Sequence, residues 1–273
     1  MQLPFKLIST DFDGTIYAEL ESPPIPPALL ELIGSLQAEG AKWVINTGRD
    51  MSSLMEALAR SGLQIQPDYL VLVERELYER QGQAFASVQP WNDACASDHG
   101  TLFGRVRNDV SALTDWISSR FDASLYEDPH SPLCIIAANS RDMDVIHARL
   151  EEYCQEVPPL SVVRNDIYAR FSHAAYNKGT ALAELSRLLK VRKEEVFVAG
   201  DQLNDLPMLS RDHAHFIATP ANAVPAVLSH VRRQGGYIST RRQGDGVAEA
   251  LRHFLSQTDS TPFNHVGMPN NWS

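Results

Sequence analysis

Apolar positions in the first third of the chain alternate between short continuous runs and helical spacings. Residues 6–11 form a run that reads as a strand. The prolines at 23, 24, 26 and 27 cannot lie inside a helix, but they suit a loop and a first helical turn. Leu29, Leu30, Ile33 and Leu36 then recur on one helical face, and Gly40 ends the pattern. Residues 41–46 read as a strand, 47–50 as a turn, and 51–61 as a helix with Leu54, Met55 and Leu58 inward. Residues 69–73 are a third apolar run. The same rhythm returns late. Strands are expected over 195–200 and 215–218, and helices over 180–189, 203–210, 223–229 and 246–255. Strands separated by helices imply right-handed crossovers and a parallel sheet.

About ninety residues in between follow another order. Helices are expected over 104–120 and 141–153, and strands over 133–138, 160–164 and 166–171. That order suits a small open sheet with helices on one face. The expected architecture is therefore α/β, a Rossmann-like parallel sheet core at 1–87 and 169–257 interrupted by an α+β cap at 88–168. Residues 258–273 are rich in Pro, Asn, Ser and Thr and read as a mobile tail.

Composition narrows the function classes. The chain has 273 residues, 44% hydrophobic and 21% charged, an ordinary globular balance. The net charge of −10 and the lack of a basic stripe argue against nucleic-acid binding. An anionic ligand would need a bound cation, a lysine or helix N-termini. Three widely spaced cysteines, Cys95, Cys134 and Cys154, form no C-x-x-C pair, so they read as inert thiols in a reducing compartment. No apolar run is long enough to span a bilayer, and the first residues lack a signal-peptide pattern. A soluble cytoplasmic protein, monomer or homodimer, is the expectation.

The chemistry gathers at the ends of strands. In open parallel sheets, ligands bind beyond the carboxyl ends. The first strand ends in Asp11 and Asp13, the second in Thr47, and the strand over 195–200 runs into Gly200, Asp201, Asn204 and Asp205. Asn177, Lys178 and Gly179 open a helix nearby. Each signal alone has a plain reading: a solvated strand end, a turn, or a surface lysine. Together they bring carboxylates, a hydroxyl and an ammonium to one crevice. Hard oxygen donors suit magnesium, and lysine with a cation suits a phosphate dianion. One carboxylate is then available to attack phosphorus and a second to move a proton. His130, His173 and His213 share no metal-ligand spacing. In the cap, Arg164, Asn165, Tyr168 and Arg170 are either an ordinary solvent face or a substrate-facing surface, with Tyr168 and Arg170 sharing one face.

D-F-D-G-T at 11–15, T-G-R at 47–49, N-K-G at 177–179 and G-D-Q-L-N-D at 200–205 resemble, in order and spacing, the four motifs of the haloacid dehalogenase superfamily, phosphatase branch. The insertion between the second and third motifs is similar to that of the Cof-type and sucrose-phosphatase-like subgroup, with its type IIB cap. A-T-P-A-N-A at 218–223 and G-D-G-V-A-E-A-L at 244–251 also resemble that subgroup. The resemblance covers roughly residues 5–256.

It implies that Asp11 is the nucleophile and a Mg2+ ligand. Asp13 would be the general acid and then the base, with its carbonyl on the metal. Thr47, Gly48 and Lys178 would hold the phosphoryl group. Asp201 would ligate the metal, and Asn204 and Asp205 would lie in its first or second shell. Beside these implied roles, Arg49, Arg164, Tyr168 and Arg170 are substrate candidates, with Arg49 open between pairing a carboxylate near the cap and being a surface residue at a helix terminus. The chain departs from the subgroup at 73–78, V-E-R-E-L-Y, where many relatives carry Asn-Gly after the third strand. The implied activity is magnesium-dependent hydrolysis of a small sugar or polyol phosphate through an aspartyl-phosphate. A phosphomannomutase-like phosphosugar mutase and a non-catalytic phosphate-binding module stand as alternatives.

Overall fold

The computed structural model describes residues 3–259, so the expected tail lies outside the described residues except for 258–259, which continue the last helix. The core sheet uses β1 (Leu7–Thr10), β2 (Lys42–Asn46), β3 (Tyr69–Leu72), β4 (Glu76–Gln81), β5 (Ala84–Ser87), β10 (Val196–Ala199), β11 (Phe216–Thr219) and β12 (Tyr237–Ile238). Their order is β12-β11-β10-β1-β2-β3-β4-β5. Every pairing from β12 to β3 is parallel, and β4 and β5 add an antiparallel hairpin at one edge.

Alternation along the strands builds two core layers. Ile8, Trp43, Ile45, Leu70 and Phe197 face α1 (Pro27–Ala38), α2 (Met51–Ser61) and α8 (Gln243–Asp259). Leu7, Val44, Val71 and Val198 face α6 (Lys178–Leu189) and α7 (Pro225–Arg233). Strands buried on both faces read as continuous apolar runs, which is why they stand out in the sequence.

The second sheet has the order β6-β7-β9-β8, built from β6 (Ala123–Asp128), β7 (Ser131–Ala137), β8 (Leu160–Asn165) and β9 (Tyr168–His173), all antiparallel. Helices α3 (Gln89–Val106), α4 (Val110–Ser118) and α5 (Ser140–Glu156) supply Leu102, Val106, Leu113, Ile117, Met143, Ile146 and Leu150 to its core, against Leu133, Ile135, Ala169 and Phe171 of the sheet. This sheet keeps β9, beyond position 169 at which the sequence reading returns the chain to the core.

Two expected helices change, and four strands were not expected. The helix over 104–120 is two helices, and the first begins at Gln89. Its buried positions Cys95, His99, Leu102 and Val106 have helical spacing, but two of them are not read as apolar. The β4–β5 hairpin is absent from the sequence reading because only Leu77 of its residues is buried. Strands β6 and β12 escape it too, β6 being a largely exposed edge. The helix over 203–210 shrinks to a 3-10 turn, Leu203–Asp205, because the Asp205 carboxylate binds the loop's own N–H groups and Pro207 follows.

Candidate active site

Strand β1 delivers Asp11 to the carboxyl edge of the sheet, where its N–H donates to the Ala199 carbonyl at 2.9 Å. The chain then turns sharply. The Phe12 carbonyl accepts from Ile16 and Tyr17, and Gly14 takes φ +73°. A side chain at Gly14 would begin 2.6 Å from an Asp201 oxygen, so this turn needs glycine for space as well as for backbone freedom. The Gly14 carbonyl is held by Asn222 Nδ2 at 2.8 Å, and Thr15 Oγ1 donates to Asp201 at 2.7 Å.

On the other side of β1, Asn177 caps α6 by accepting from Gly179 and Thr180, which places Lys178 in the first helical turn. Its ammonium is fully buried and lies 2.6 Å from both Asp11 Oδ1 and Asp205 Oδ1. Asp205 Oδ2 accepts from the N–H groups of Asp201 and Gln202 at 2.8 Å each. One ammonium thus serves a cluster of three buried carboxylates.

Carboxylate oxygens of Asp11, Asp201 and Asp205 come within 4.8 Å of one another. The donors are hard and wholly oxygen, which fits a divalent cation of the magnesium kind. Asp205 accepts three hydrogen bonds, Asp201 one short and one long, and Asp11 one, so Asp11 and Asp201 have the most capacity left to hold it. Burial, with Asp205 next, raises the Asp11 carboxyl well above its ordinary value and lifts that of Asp201 to about 7. A cation in the cluster would reverse both shifts.

These shifts predict a pH effect. Both acids bind a proton more tightly folded than unfolded. In chelator, these two acids contribute stability that is lost as pH rises from the unfolded carboxylate range near 3.8 through about 7, while His99, His130, His147, His173 and His213, whose proton affinity burial lowers, act in the opposite direction. Thermal midpoints at pH 6 and pH 8, with and without magnesium, check this. The gain in midpoint on adding magnesium cancels the histidines and should be larger at pH 8 than at pH 6. A gain no larger at pH 8 than at pH 6 would contradict it.

The remaining expected residues do not all join the cluster. Thr47 is buried, and its Oγ1 accepts from the Arg49 N–H at 3.1 Å; Gly48 packs against Glu74. Asp13 turns outward into a bidentate pair with Arg49, at 2.8 and 2.6 Å. The Arg49 guanidinium also lies over the rings of Phe12 and Tyr17. Asn204 Nδ2 donates to Glu74 Oε1 at 2.8 Å. Arg164 is in phase with Leu160 and Val162, so it lies on the helix side of the cap sheet and pairs with Asp144 of α5. It therefore does not share a face with Tyr168 and Arg170. Tyr168 rests against Cys134, its hydroxyl 3.7 Å from Sγ. Arg170 reaches the core instead of solvent, donating to the Val73 carbonyl at 2.7 Å and to Glu74 at 3.0 Å. Burial pushes the Cys95 and Cys154 thiols up to about 12 and that of Cys134 to about 11, in keeping with inert thiols.

Three site residues have no assigned role in the sequence reading. Thr15 and Asn222 stand inside quoted motifs and act on Asp201 and Gly14. Glu74 falls in the departing stretch 73–78, where Val73 and Glu74 take φ 44° and 69°. Positive φ at these non-glycine positions is the mark of a constrained loop, but no local sequence pattern announces it. A cavity of about 380 Å³ extends from Lys178, Glu74 and Asn204 to Ser161 and Val163 of the cap.

A family model described as haloacid dehalogenase-like hydrolase matches residues 108–251, more than half of the chain. The HMP-PP phosphatase of Yersinia pseudotuberculosis is 26% identical over 94% of this chain and 98% of its own. Among solved structures, the sucrose-phosphatase of Synechocystis in complex with sucrose and phosphate superposes with a TM-score of 0.69 at 20% identity, covering 93% of this chain and 98% of that one. A subclass IIB sugar phosphatase of the same superfamily gives 0.62 at 17% identity over 91% and 98%. Among the described residues, no helix is long and apolar enough to cross a membrane.

Proposed function

The chain belongs to the haloacid dehalogenase-like hydrolases, Cof-type, and is a phosphatase of that family; on this premise we propose that it hydrolyses small sugar or polyol monophosphates with magnesium, through an aspartyl-phosphate on Asp11. The observation that carries the reading is the buried cluster in which Lys178 bridges Asp11 and Asp205 beside Asp201.

Asp11 attacks phosphorus in line and the ester oxygen leaves. Lys178 meets the charge on the transferring phosphoryl oxygens, together with the Thr47 hydroxyl and the Gly48 N–H. Asp13, two residues on, protonates the leaving oxygen and then takes a proton from the water that releases phosphate. To do so its carboxyl group must part from Arg49. Arg49 is thus a positioning residue that holds Asp13 aside until substrate is in place. Asp11 and Asp201 would hold the magnesium ion, which would supply positive charge to the phosphoryl oxygens. The substrate class draws support from the named activities of the sucrose-phosphatase and the subclass IIB sugar phosphatase.

The test is phosphate release from a panel of sugar, polyol, nucleotide and cofactor monophosphates, in magnesium and in chelator. Metal-dependent release from sugar or polyol phosphates is the expected result. Equal rates in chelator would remove the metal from the mechanism. No release from any compound would turn the reading toward a phosphosugar mutase or a phosphate-binding module.

A further inference from the structure

Glu74 stands at the seam between the two sheets with one oxygen committed to each side. Oε1 accepts from Asn204 in the core loop at 2.8 Å, and Oε2 pairs with Arg170 of the cap at 3.0 Å. Its residue is 5% exposed, and its carboxylate lies against Gly48, where a Cβ would come within 3.2 Å of Oε1. The loop carrying it adopts positive φ at two consecutive non-glycine residues, one of them β-branched. Backbone strain of that kind persists only where the surroundings hold it, and here it aims a carboxylate beside the phosphate-binding turn.

The cavity that opens from this point has an unusual charge balance. Its lining includes two cationic side chains, Lys178 and Arg164. Lys178 is matched by Asp11 and Asp205, and Arg164 by Asp144. His147, also in the lining, faces Glu151 on its own helix and Arg164 and Asp144 nearby; burial lowers its affinity for a proton, which keeps it neutral at neutral pH. Arg170, behind Glu74, is spent on Glu74. Arg75, next to Glu74, has no acid partner among the described residues, but it is buried against Ser172 and the His130 carbonyl and does not line the cavity. Among the described residues that line it, no cation is left for a second anionic group. Acceptors, in contrast, are in surplus. A carboxylate offers about four acceptor positions, and Glu74 uses two. Asn204 Oδ1 is buried with no hydrogen-bond partner. Ser161 adds a hydroxyl from the cap edge.

We propose that Glu74 is a specificity-determining residue: it accepts a hydrogen bond from a hydroxyl of an uncharged, polyhydroxylated leaving group and excludes leaving groups bearing a second phosphate. This rests on the phosphatase reading above and goes beyond it by naming the residue and the discrimination. A second phosphate would sit against a carboxylate that is buried from solvent, where like charges repel more strongly than in bulk water. A site built to hydrogen-bond a hydroxyl also rejects a leaving group that leaves its acceptors unpaired.

The experiment compares glucose 6-phosphate with glucose 1,6-bisphosphate, each as kcat/KM, so that a general loss of activity cancels within one enzyme. The wild type should favour the monophosphate by at least ~50-fold, and Glu74→Gln should reduce that ratio by at least ~10-fold. Because Glu74→Gln leaves the Arg170 cation unpaired, the double variant E74Q/R170Q is measured beside it and should show the same loss of discrimination. A ratio near unity in the wild type, or one unchanged in E74Q, overturns the inference. A ratio restored in the double variant assigns the effect to the unpaired Arg170 and also overturns it. p-Nitrophenyl phosphate separates the two levels. If the wild type releases phosphate from it while showing no discrimination, only the role of Glu74 fails. If it releases none from any of the three, the phosphatase reading fails and the role of Glu74 with it.

Discussion

Asp11→Asn is expected to lower phosphate release by at least ~10⁴-fold while leaving the protein folded. Asparagine keeps the shape of the side chain but presents no anionic oxygen to phosphorus, so no hydrolysable acyl phosphate can form. The same substitution removes a charge from a crowded place. Asp11, Asp201 and Asp205 share one buried ammonium, and their mutual repulsion contributes to the raised affinity of Asp11 for protons. In chelator at pH 8, the variant should therefore melt no lower than the wild type. Turnover and thermal midpoint measured on the same preparation check both halves. Near-wild-type turnover would remove Asp11 from the nucleophile's role. A large drop in midpoint would show that the carboxylate stabilises the cluster instead of straining it.

Lys178→Met should have the opposite profile, costing stability as well as activity. Methionine fills a similar volume but leaves Asp11 and Asp205 without their 2.6 Å partner in a fully buried position. Breaking a buried ion pair on one side costs ~3–5 kcal/mol, which is roughly 10 °C in Tm for a chain of this size. Loss of a preorganised positive charge at the phosphoryl group should also lower kcat by ~10²–10³-fold. Lowering the pH should recover part of the stability, because protonation relieves the unmatched acids. A variant that melts with the wild type across this range would show that the lysine is not what balances the cluster.

The sequence made some of this arrangement visible and hid the rest for physical reasons. Asp11, Lys178, Asp201 and Asp205 were legible only together: each alone has a plain reading, but two strand ends and a helix start bring carboxylates and an ammonium to one crevice, in the order and spacing of a known set of motifs. The direction of Asp13 was not, since its pairing with Arg49 depends on a turn whose side-chain orientation no spacing encodes. Arg164 could have been placed correctly by extending the alternation Leu160, Val162, Arg164, which puts it on the helix side. Glu74 was beyond reach. Its partners lie 96 and 130 residues away, and its backbone conformation is one that sequence assigns to glycine. The first cap helix was missed because a cysteine and a histidine occupy its inward face.

The position of β1 in the sheet has a consequence for how the chain is made. This strand is central, with β2 on one edge and β10 on the other, in register from Leu7 opposite Val196 to Thr10 opposite Ala199. On a ribosome, one edge of β1 has no partner until the chain as far as Val196–Ala199 has been synthesised. Until then, an apolar strand with open N–H and C=O groups is exposed to pairing with other nascent chains. The cap, encoded between β1 and β10, can meanwhile close its own sheet, because its antiparallel strands follow one another closely. Synthesis order thus sets the cap ahead of the core: the module that would select the substrate can fold first, and the strand leading to Asp11, the proposed nucleophile, is among the last to be secured.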